Sequence, residues 1–304
     1  MKLKTNIQAY NFLELIAISG EFPVTNIDRL AGGSEYKKKM IYHLKKSGLI
    51  RKYSKDKTHS YKLTVAGKKL LLENNYVRLA FFLTGDIETN LHKSELFRRL
   101  RLHKIAQTHL IMQKAGIHIF RDIKTPVFSS EFSIVSSERH SYSEIITPAF
   151  YDSKEIKTLL GEKSTKIMSS RLVGVLLTSK DIFAVYNTGD SLMKWGHKIE
   201  QRTKMMFCLY FSKTNFDYAG HNIKSIMIGS DMDMAVKIFE SDGCGKQCLL
   251  NIDDIYDGMY FIPNDENGDM LFNILSNPKI QNEVHNLLME NLTLASCNDL
   301  SRTF

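Results

Sequence analysis

The sequence predicts an α+β fold: an N-terminal helical unit closed by a β-hairpin, followed by an α/β domain with a mixed sheet. Three observations predict it. Up to residue 46 apolar residues recur at helical spacing between glycine-bearing turns. From Leu49 to Thr64 two short strand patterns flank a polar turn. Beyond Gly116, apolar runs rich in β-branched residues alternate with helical patterns, as in a sheet carrying crossover helices. The resulting division is 1–75 for the N-terminal unit, 76–116 for a helical connector and 117–304 for the α/β domain.

The first helix is expected over Asn6–Ile18. Ile7, Tyr10, Leu13 and Ile16 form its stripe, Phe12, Leu15 and Ile18 widen it, and Ser19-Gly20 ends it. Pro23 precedes a short second helix, Thr25–Leu30, with Thr25 or Asn26 as its cap. Ala31-Gly32-Gly33 makes the turn, since glycine reaches backbone angles that other residues avoid. Ser34 is expected to cap a third helix whose buried stripe is Met40, Ile41 and Leu44. Its outward face carries Lys38, Lys39, Tyr42, Lys45 and Lys46, with Lys37 at the margin and His43 beside Tyr42.

Ser47-Gly48 stops that helix, and a strand through Arg51, Lys52 and Tyr53 follows. Ser54–Thr58 is a polar turn, and Ser60–Thr64 returns. Lys55, Lys57 and His59 lie at the hairpin tip. Thr64 is placed to cap the next helix, and Gly67 to allow close packing. A short helix, a glycine turn and a second helix have the lengths of a helix-turn-helix, whose later helix enters the major groove.

The run KKSGLIRKYSKDKTHSYKLTVAGKKLL resembles the helix, glycine, Leu-Ile, basic hairpin, Leu-Thr-x-x-Gly, helix signature of winged-helix proteins. The resemblance covers residues 5 to about 73. It implies binding of double-stranded DNA by Ser34, Lys37, Lys38, Lys39, Tyr42, His43, Lys45 and Lys46 on the third helix. Arg51, Lys52, Lys55, Lys57 and His59 would contribute from the hairpin. Lysines would meet phosphates, while Tyr42 and His43 would reach a base edge or a sugar.

Charge is distributed to match. Residues 1–69 hold 15 Lys and Arg against 5 Asp and Glu, whereas residues 121–304 hold 19 against 24. The excess of +8 therefore originates near one end, which argues against a protein that coats DNA along its whole surface. No apolar run approaches the roughly 18 residues needed to span a bilayer, and the N-terminus lacks the apolar core of a signal peptide. A cytoplasmic protein without membrane contact is expected. The four cysteines agree: Cys244 and Cys248 alone are close in sequence, and with Cys208 and Cys297 they suggest reduced thiols, not a disulfide scaffold or zinc site.

In the connector, Val77–Leu83 is an apolar stretch and His92–Ala115 a long helix. Leu96, Leu100, Ile105, Leu110 and Ile111 are assigned to its apolar side, and Arg98, Arg99, Arg101 and Lys104 to the outside. This helix is expected either to pair in a homodimer or to pack on the C-terminal part of its own chain. Strands are expected at Ile117–Phe120, Tyr142–Ile146, Arg171–Leu177, Ile182–Tyr186, Lys224–Ile228 and Met259–Ile262. Helices are expected at Trp195–Phe211, Met232–Phe239, Asp269–Leu275 and Ile280–Leu292. The Ser- and Lys-rich block 121–170 gives the weakest pattern.

The hairpin followed by helix, strand and helix resembles a restriction-endonuclease-like core. Its metal chemistry needs an Asp and then a Glu-x-Lys triplet on adjacent strands. The strand Ile182–Tyr186 contains neither, and Asp181, Asp152, Glu155, Lys157 and Glu200 form a cluster only if that fold is assumed. Tyr186 and Tyr210 sit in apolar runs and read as core tyrosines. Asp231, Asp233, Asp253, Asp254 and Asp257 lack calcium-loop spacing and read as helix caps. No P-loop or Gly-x-Ser-x-Gly motif is present. Accordingly no catalytic residue, metal or cofactor is expected, and the core is read as catalytically inactive.

A basic winged helix fused to an α/β domain resembles the replication-relaxation proteins of plasmids and conjugative elements in Gram-positive bacteria. The resemblance implies a DNA-binding accessory or regulator of a mobile element, working with protein partners of a replication or transfer complex. The alternatives are a transcription regulator whose C-terminal domain senses an effector and, less favoured, a metal-dependent nuclease.

Overall fold

The computed structural model describes residues 7–84, 95–125, 127, 148–160, 171–178, 181–189, 197–213, 223–234, 236 and 259–276. Helix α1 (Ile7–Ser19) is followed by strand β1 (Phe22–Pro23), a 3-10 helix (Val24–Arg29) and helix α2 (Ser34–Lys46). Strands β2 (Ile50–Lys55) and β3 (Thr58–Leu63) form the hairpin, and helices α3 (Val65–Asn74) and α4 (Tyr76–Leu83) follow. The connector helix is α5 (Glu95–Lys114). Then come β4 (Ala149–Asp152), α6 (Ser153–Leu160), β5 (Leu172–Leu177), β6 (Ile182–Gly189), α7 (His197–Lys213), β7 (Ile223–Gly229), β8 (Met259–Pro263) and α8 (Glu266–Ser276). The chain is α+β, with N-terminal helices and a mixed sheet.

The first sheet has three strands in the order β1-β3-β2, with both pairings antiparallel. Its hairpin closes through Asp56 and Lys57, both at positive φ (49° and 60°), between the paired residues Lys55 and Thr58. Two such residues give the turn a twist that matches the strands. At the other end of the hairpin, the Thr64 hydroxyl accepts from the Gly67 amide at 3.1 Å and caps α3. Gly67 lies so close to β2 that a Cβ there would stand 2.2 Å from the Leu49 carbonyl oxygen.

Several local expectations change. The second helix is a 3-10 turn entered from Pro23, with no side-chain cap from Thr25 or Asn26. Gly33, not Ser34, is the N-cap of α2, and Ser34 is the first helical residue. Gly32 at φ +97° supplies the turn before it. In α1 burial runs round the helix from Phe12 to Ser19, because α4 and α5 cover the side that β3 leaves open, while Ile7 is exposed.

Among the described residues the second sheet has five strands in sequence order, β4-β5-β6-β7-β8. β5 is antiparallel to both of its neighbours, β4 and β6, and β7 and β8 run parallel to β6. Helix α7 makes the crossover that a parallel β6–β7 pair requires. Every residue of β5 and all of β6 except Gly189 are buried, so the centre of the sheet is covered on both faces. One apolar core runs from Phe12 and Phe22 through Ile111 to Phe150, Phe183 and Ile226.

Strand β6 continues through Asn187, Thr188 and Gly189, where the sequence suggested its end. Ile117–Phe120 is not a strand: it makes one isolated parallel bridge, His118 to Ala149. Its partner β4, and α6 after it, had no signal strong enough to read. The candidates at Tyr142–Ile146 and Ile280–Leu292, and half of Met232–Phe239, lie outside the described residues.

Helix α5 shows the largest departure. Arg99, assigned to its outside, is 1% exposed, whereas Phe97 and Leu100 are exposed. From Ala106 to Met112 the helix is buried on nearly every side, packed between α1 and strands β5 and β6. It therefore packs on its own chain, one of its two expected arrangements. Among the described residues no helix is long and apolar enough to cross a membrane.

Candidate nucleic-acid interface

Helix α2 buries Met40, Ile41 and Leu44, as their spacing requires, and turns Lys38, Lys39, Tyr42, His43, Lys45 and Lys46 outward. Ser34 is exposed in its first turn. Lys46 lies 5.9 Å from the Tyr42 ring centre, and Tyr42 meets the His43 ring edge to face at 5.6 Å. One acid, Glu35, shares this helix, and it pairs with Lys38 at 2.8 Å with both side chains largely in solvent. A pair so exposed is weak and readily exchanged.

Lys37 is the correction on this face. It is buried, and its ammonium donates to the Asp28 carbonyl at 2.6 Å, tying α2 to the 3-10 helix. It supports the interface from behind.

On the hairpin Arg51, Lys52, Lys55, Lys57 and His59 are all exposed. His59 and Ser54 are cross-strand partners and share a hydrogen bond at 2.9 Å. Cations thus occupy two adjacent exposed surfaces, the outer face of α2 and the hairpin. Asp56 at the tip is the hairpin's own acid.

Beneath the hairpin lies a buried charge cluster that the sequence pattern did not reveal. Glu21 Oε1 accepts from Arg99 Nε at 2.8 Å, from the Ser60 hydroxyl, and contacts His103 Nε2 at 3.0 Å. Its Oε2 stands 3.2 Å from Lys62 Nζ, a charge contact without hydrogen-bond alignment. Burial alone would raise the Glu21 carboxyl. The bonds from His103, Ser60 and Arg99, with the charge of Lys62, outweigh it and hold the group down at about 2. Arg99 also donates to the Lys55 carbonyl at 2.9 Å and, more distantly, to those of Tyr53 and Thr58. Two cations approach the Tyr53 ring, Lys62 at 4.0 Å and Arg99 at 4.5 Å from its centre.

A signal for this cluster existed. Arg99, His103, Ala106 and Leu110 follow one another at spacings of four, three and four, which puts them on a single helix face. Leu96 and Leu100 drew the stripe to the wrong side.

A second buried polar group lies where α5 meets the large sheet. His109 Nδ1 is 3.0 Å from the Ser19 hydroxyl, and Nε2 is 3.7 Å from Asp152 Oδ2. Burial, assisted by the charge of Lys124 and opposed by Asp152, pushes the imidazole down to about 4. Lys124 Nζ donates to Glu155 at 2.7 Å and to the Ile119 and Phe150 carbonyls. Burial nonetheless pushes Glu155 up to about 7, against the pull of Lys124.

The acids weighed for catalysis divide between the two ends of the sheet. Asp181 precedes Ile182, which stands level with Leu177 and Ala149, and it pairs with Lys224 at 2.8 Å. Asp152 stands at the far end of β4 beside Glu155. Glu200 accepts from the Arg171 amide at 3.0 Å and the Tyr186 hydroxyl at 2.9 Å. Lys157 lies in α6, its side chain outside the described residues. Tyr186 is fully buried, as a core tyrosine would be, whereas Tyr210 is half-buried and donates to the Val127 carbonyl at 2.6 Å. Asp231 accepts from the Met234 amide at 2.9 Å and caps a turn. Among the described residues no three His, Cys, Asp or Glu converge as metal ligands. Cys208 is exposed, and the other three cysteines, with Asp253, Asp254 and Asp257, lie outside the described residues.

Comparison with protein-family models, with curated proteins and with solved structures finds no match.

Proposed function

We propose that residues 7–74 act as a winged helix-turn-helix that binds double-stranded DNA, with α2 in the major groove and the hairpin along the adjacent backbone. One observation carries this reading. Exposed lysines and an arginine occupy both α2 and the hairpin, where a winged helix meets DNA, and only Glu35 and Asp56 oppose them. The chain then serves as an accessory or regulatory protein of a mobile element, in replication or transfer. The α/β part supports a reading as a restriction-endonuclease-like core in a non-catalytic role. In its favour are the sequential strand order, with β5 alone running against the rest, and the lack of a carboxylate within β6.

A transcription regulator is the second reading. It draws on the continuous core between the hairpin-bearing unit and the α/β part, through which an effector would act.

Titrating full-length protein onto a mixed-sequence duplex at several salt concentrations tests DNA binding. Removing one cation that neutralises a phosphate should flatten the log–log salt slope by about 0.9. Lys38→Ala, Lys45→Ala and Lys57→Ala should each do so, and an unchanged slope in all three would sink the assignment. Footprints at an origin or transfer locus favour the first role; effector-dependent footprints at a promoter favour the second.

A further inference from the structure

We propose that Arg99 is a positioning residue for DNA binding: from α5 it fixes the hairpin in the orientation that presents its cations to the DNA backbone. The proposal rests on the DNA-binding reading above and adds a control point outside the N-terminal unit.

A two-stranded hairpin is marginally stable by itself, and its tip needs external support to hold one direction. The root has such support. Ile50, Tyr61 and Leu63 are buried in the core, and β1 pairs along β3 at Tyr61 and Ser60. Beyond Ser60 the chain to Lys55 is exposed or half-buried on both strands.

Arg99 reaches this outer half from the connector. It donates to the carbonyls of Lys55 and Tyr53 on β2 and to that of Thr58 on β3. Lys55 and Thr58 form the last pair before the turn, so the guanidinium links both strands next to the tip. Its plane also covers the Tyr53 ring. Glu21 also holds the guanidinium, at Nε, as does the Ser60 hydroxyl of β3, at Nη2, and His103 in turn holds Glu21.

Two points favour positioning over stability as the outcome. A buried charge needs several partners to offset its desolvation, and a whole buried ion pair is often no more stabilising than apolar residues of similar volume in its place. A planar fork bonded to main-chain carbonyls fixes geometry as no apolar side chain can. The clamp also takes hold of backbone, which leaves the side chains of Lys52, Lys57 and His59 turned to solvent.

The test is a cycle on full-length protein and a mixed-sequence duplex, read as the salt slope of binding. In the wild-type background, Lys52→Ala with Lys57→Ala should flatten the slope by about 2, and so should Lys38→Ala with Lys45→Ala. In the Arg99→Met background the α2 pair should keep its effect, while the hairpin pair should change the slope by less than about 0.5 on the same scale. A merely structural Arg99 would leave both effects intact, and equal hairpin effects in the two backgrounds overturn the proposal. A hairpin pair without effect in the wild type overturns it as well, because nothing there is positioned. If neither pair acts in the wild type, it is the DNA-binding reading that fails. Should Arg99→Met not fold, Arg99→Lys, which keeps a cation beside Glu21 without the fork, takes its place under the same criteria.

Discussion

Arg99 of the connector helix lies 2.8 Å from Glu21, a residue 78 positions earlier, and both side chains are essentially excluded from water. The Glu21 carboxyl is held at about 2, below its ordinary 4.5, so its ionised form favours the folded state. That contribution is complete above pH 4.5 and is lost as pH falls toward 2. Glu21→Gln should therefore destabilise at neutral pH by about 3 kcal/mol, since it strands a buried guanidinium. It should also flatten the acid limb of stability below pH 4.5, as urea midpoints across the range would record.

Lys37 and Lys38 are neighbours in sequence and opposites in exposure. Lys37→Met should cost about 1 kcal/mol in urea unfolding through loss of its bond to the Asp28 carbonyl, and leave the salt slope of DNA binding unchanged. Lys38→Met should do the reverse, flattening the slope by about 0.9 with stability altered by under about 0.5 kcal/mol.

His109 and Glu155 are expected to oppose each other in pH dependence. His109 is depressed from 6.5 to about 4, so folded stability rises with pH across that interval, where the unfolded chain binds more protons. Glu155 is raised from 4.5 to about 7, so stability falls with pH across its interval, where the folded chain binds more. Glu155→Gln should leave a steeper rise from pH 4 to 6.5 than wild type shows. His109→Gln should turn that rise into a fall. Both follow from chemical unfolding at a series of pH values.

Gly67→Ala should destabilise the N-terminal unit, because its methyl group would lie 2.2 Å from the Leu49 carbonyl oxygen and force α3 away from the hairpin. Overpacking of this kind costs about 1 to 3 kcal/mol. Val65→Ala, at an exposed position two residues earlier, should stay within about 0.5 kcal/mol in the same thermal melts.

The elements that declare themselves in the sequence are those whose signals are local. The hairpin announces itself through Gly48, the Thr64 cap and a polar turn. The structure narrows that turn from Ser54–Thr58 to Asp56 and Lys57, because Ser54, Lys55 and Thr58 pair in the strands. The outward cations of α2 follow from the Met40, Ile41 and Leu44 stripe. Strands β5 to β8 follow from their apolar runs.

What stayed hidden depends on partners distant in sequence. Lys37 is drawn inward by the Asp28 carbonyl, and Arg99 by Glu21 and three hairpin carbonyls. Each lies at helical spacing from buried apolar residues, Lys37 from Met40, Ile41 and Leu44 and Arg99 from Ala106 and Leu110, but the partners that let a charge be buried there lie outside that local pattern. Strand β4 is four residues long and pairs with β5; it ends where Asp152 and Glu155 cap the start of α6 reciprocally, a signal too short to define the strand. Charge normally signals exposure, and these cases invert that rule because each carries enough partners to replace water.

Arg29, at the end of the 3-10 helix before α2, donates to Asn264 and Asp269, and Lys114 meets the same Asp269 at 2.6 Å. The bond from Arg29 to Asp269 spans 240 residues. At synthesis rates of about 5 to 20 residues per second, residue 29 waits roughly 12 to 50 s for residue 269 to be made. Glu21 meets Arg99 much sooner, after 78 residues. Assembly is thus staged by the order of translation: hairpin and connector helix join first, and the basic face exists for many seconds before β8 and α8 fasten it to the sheet.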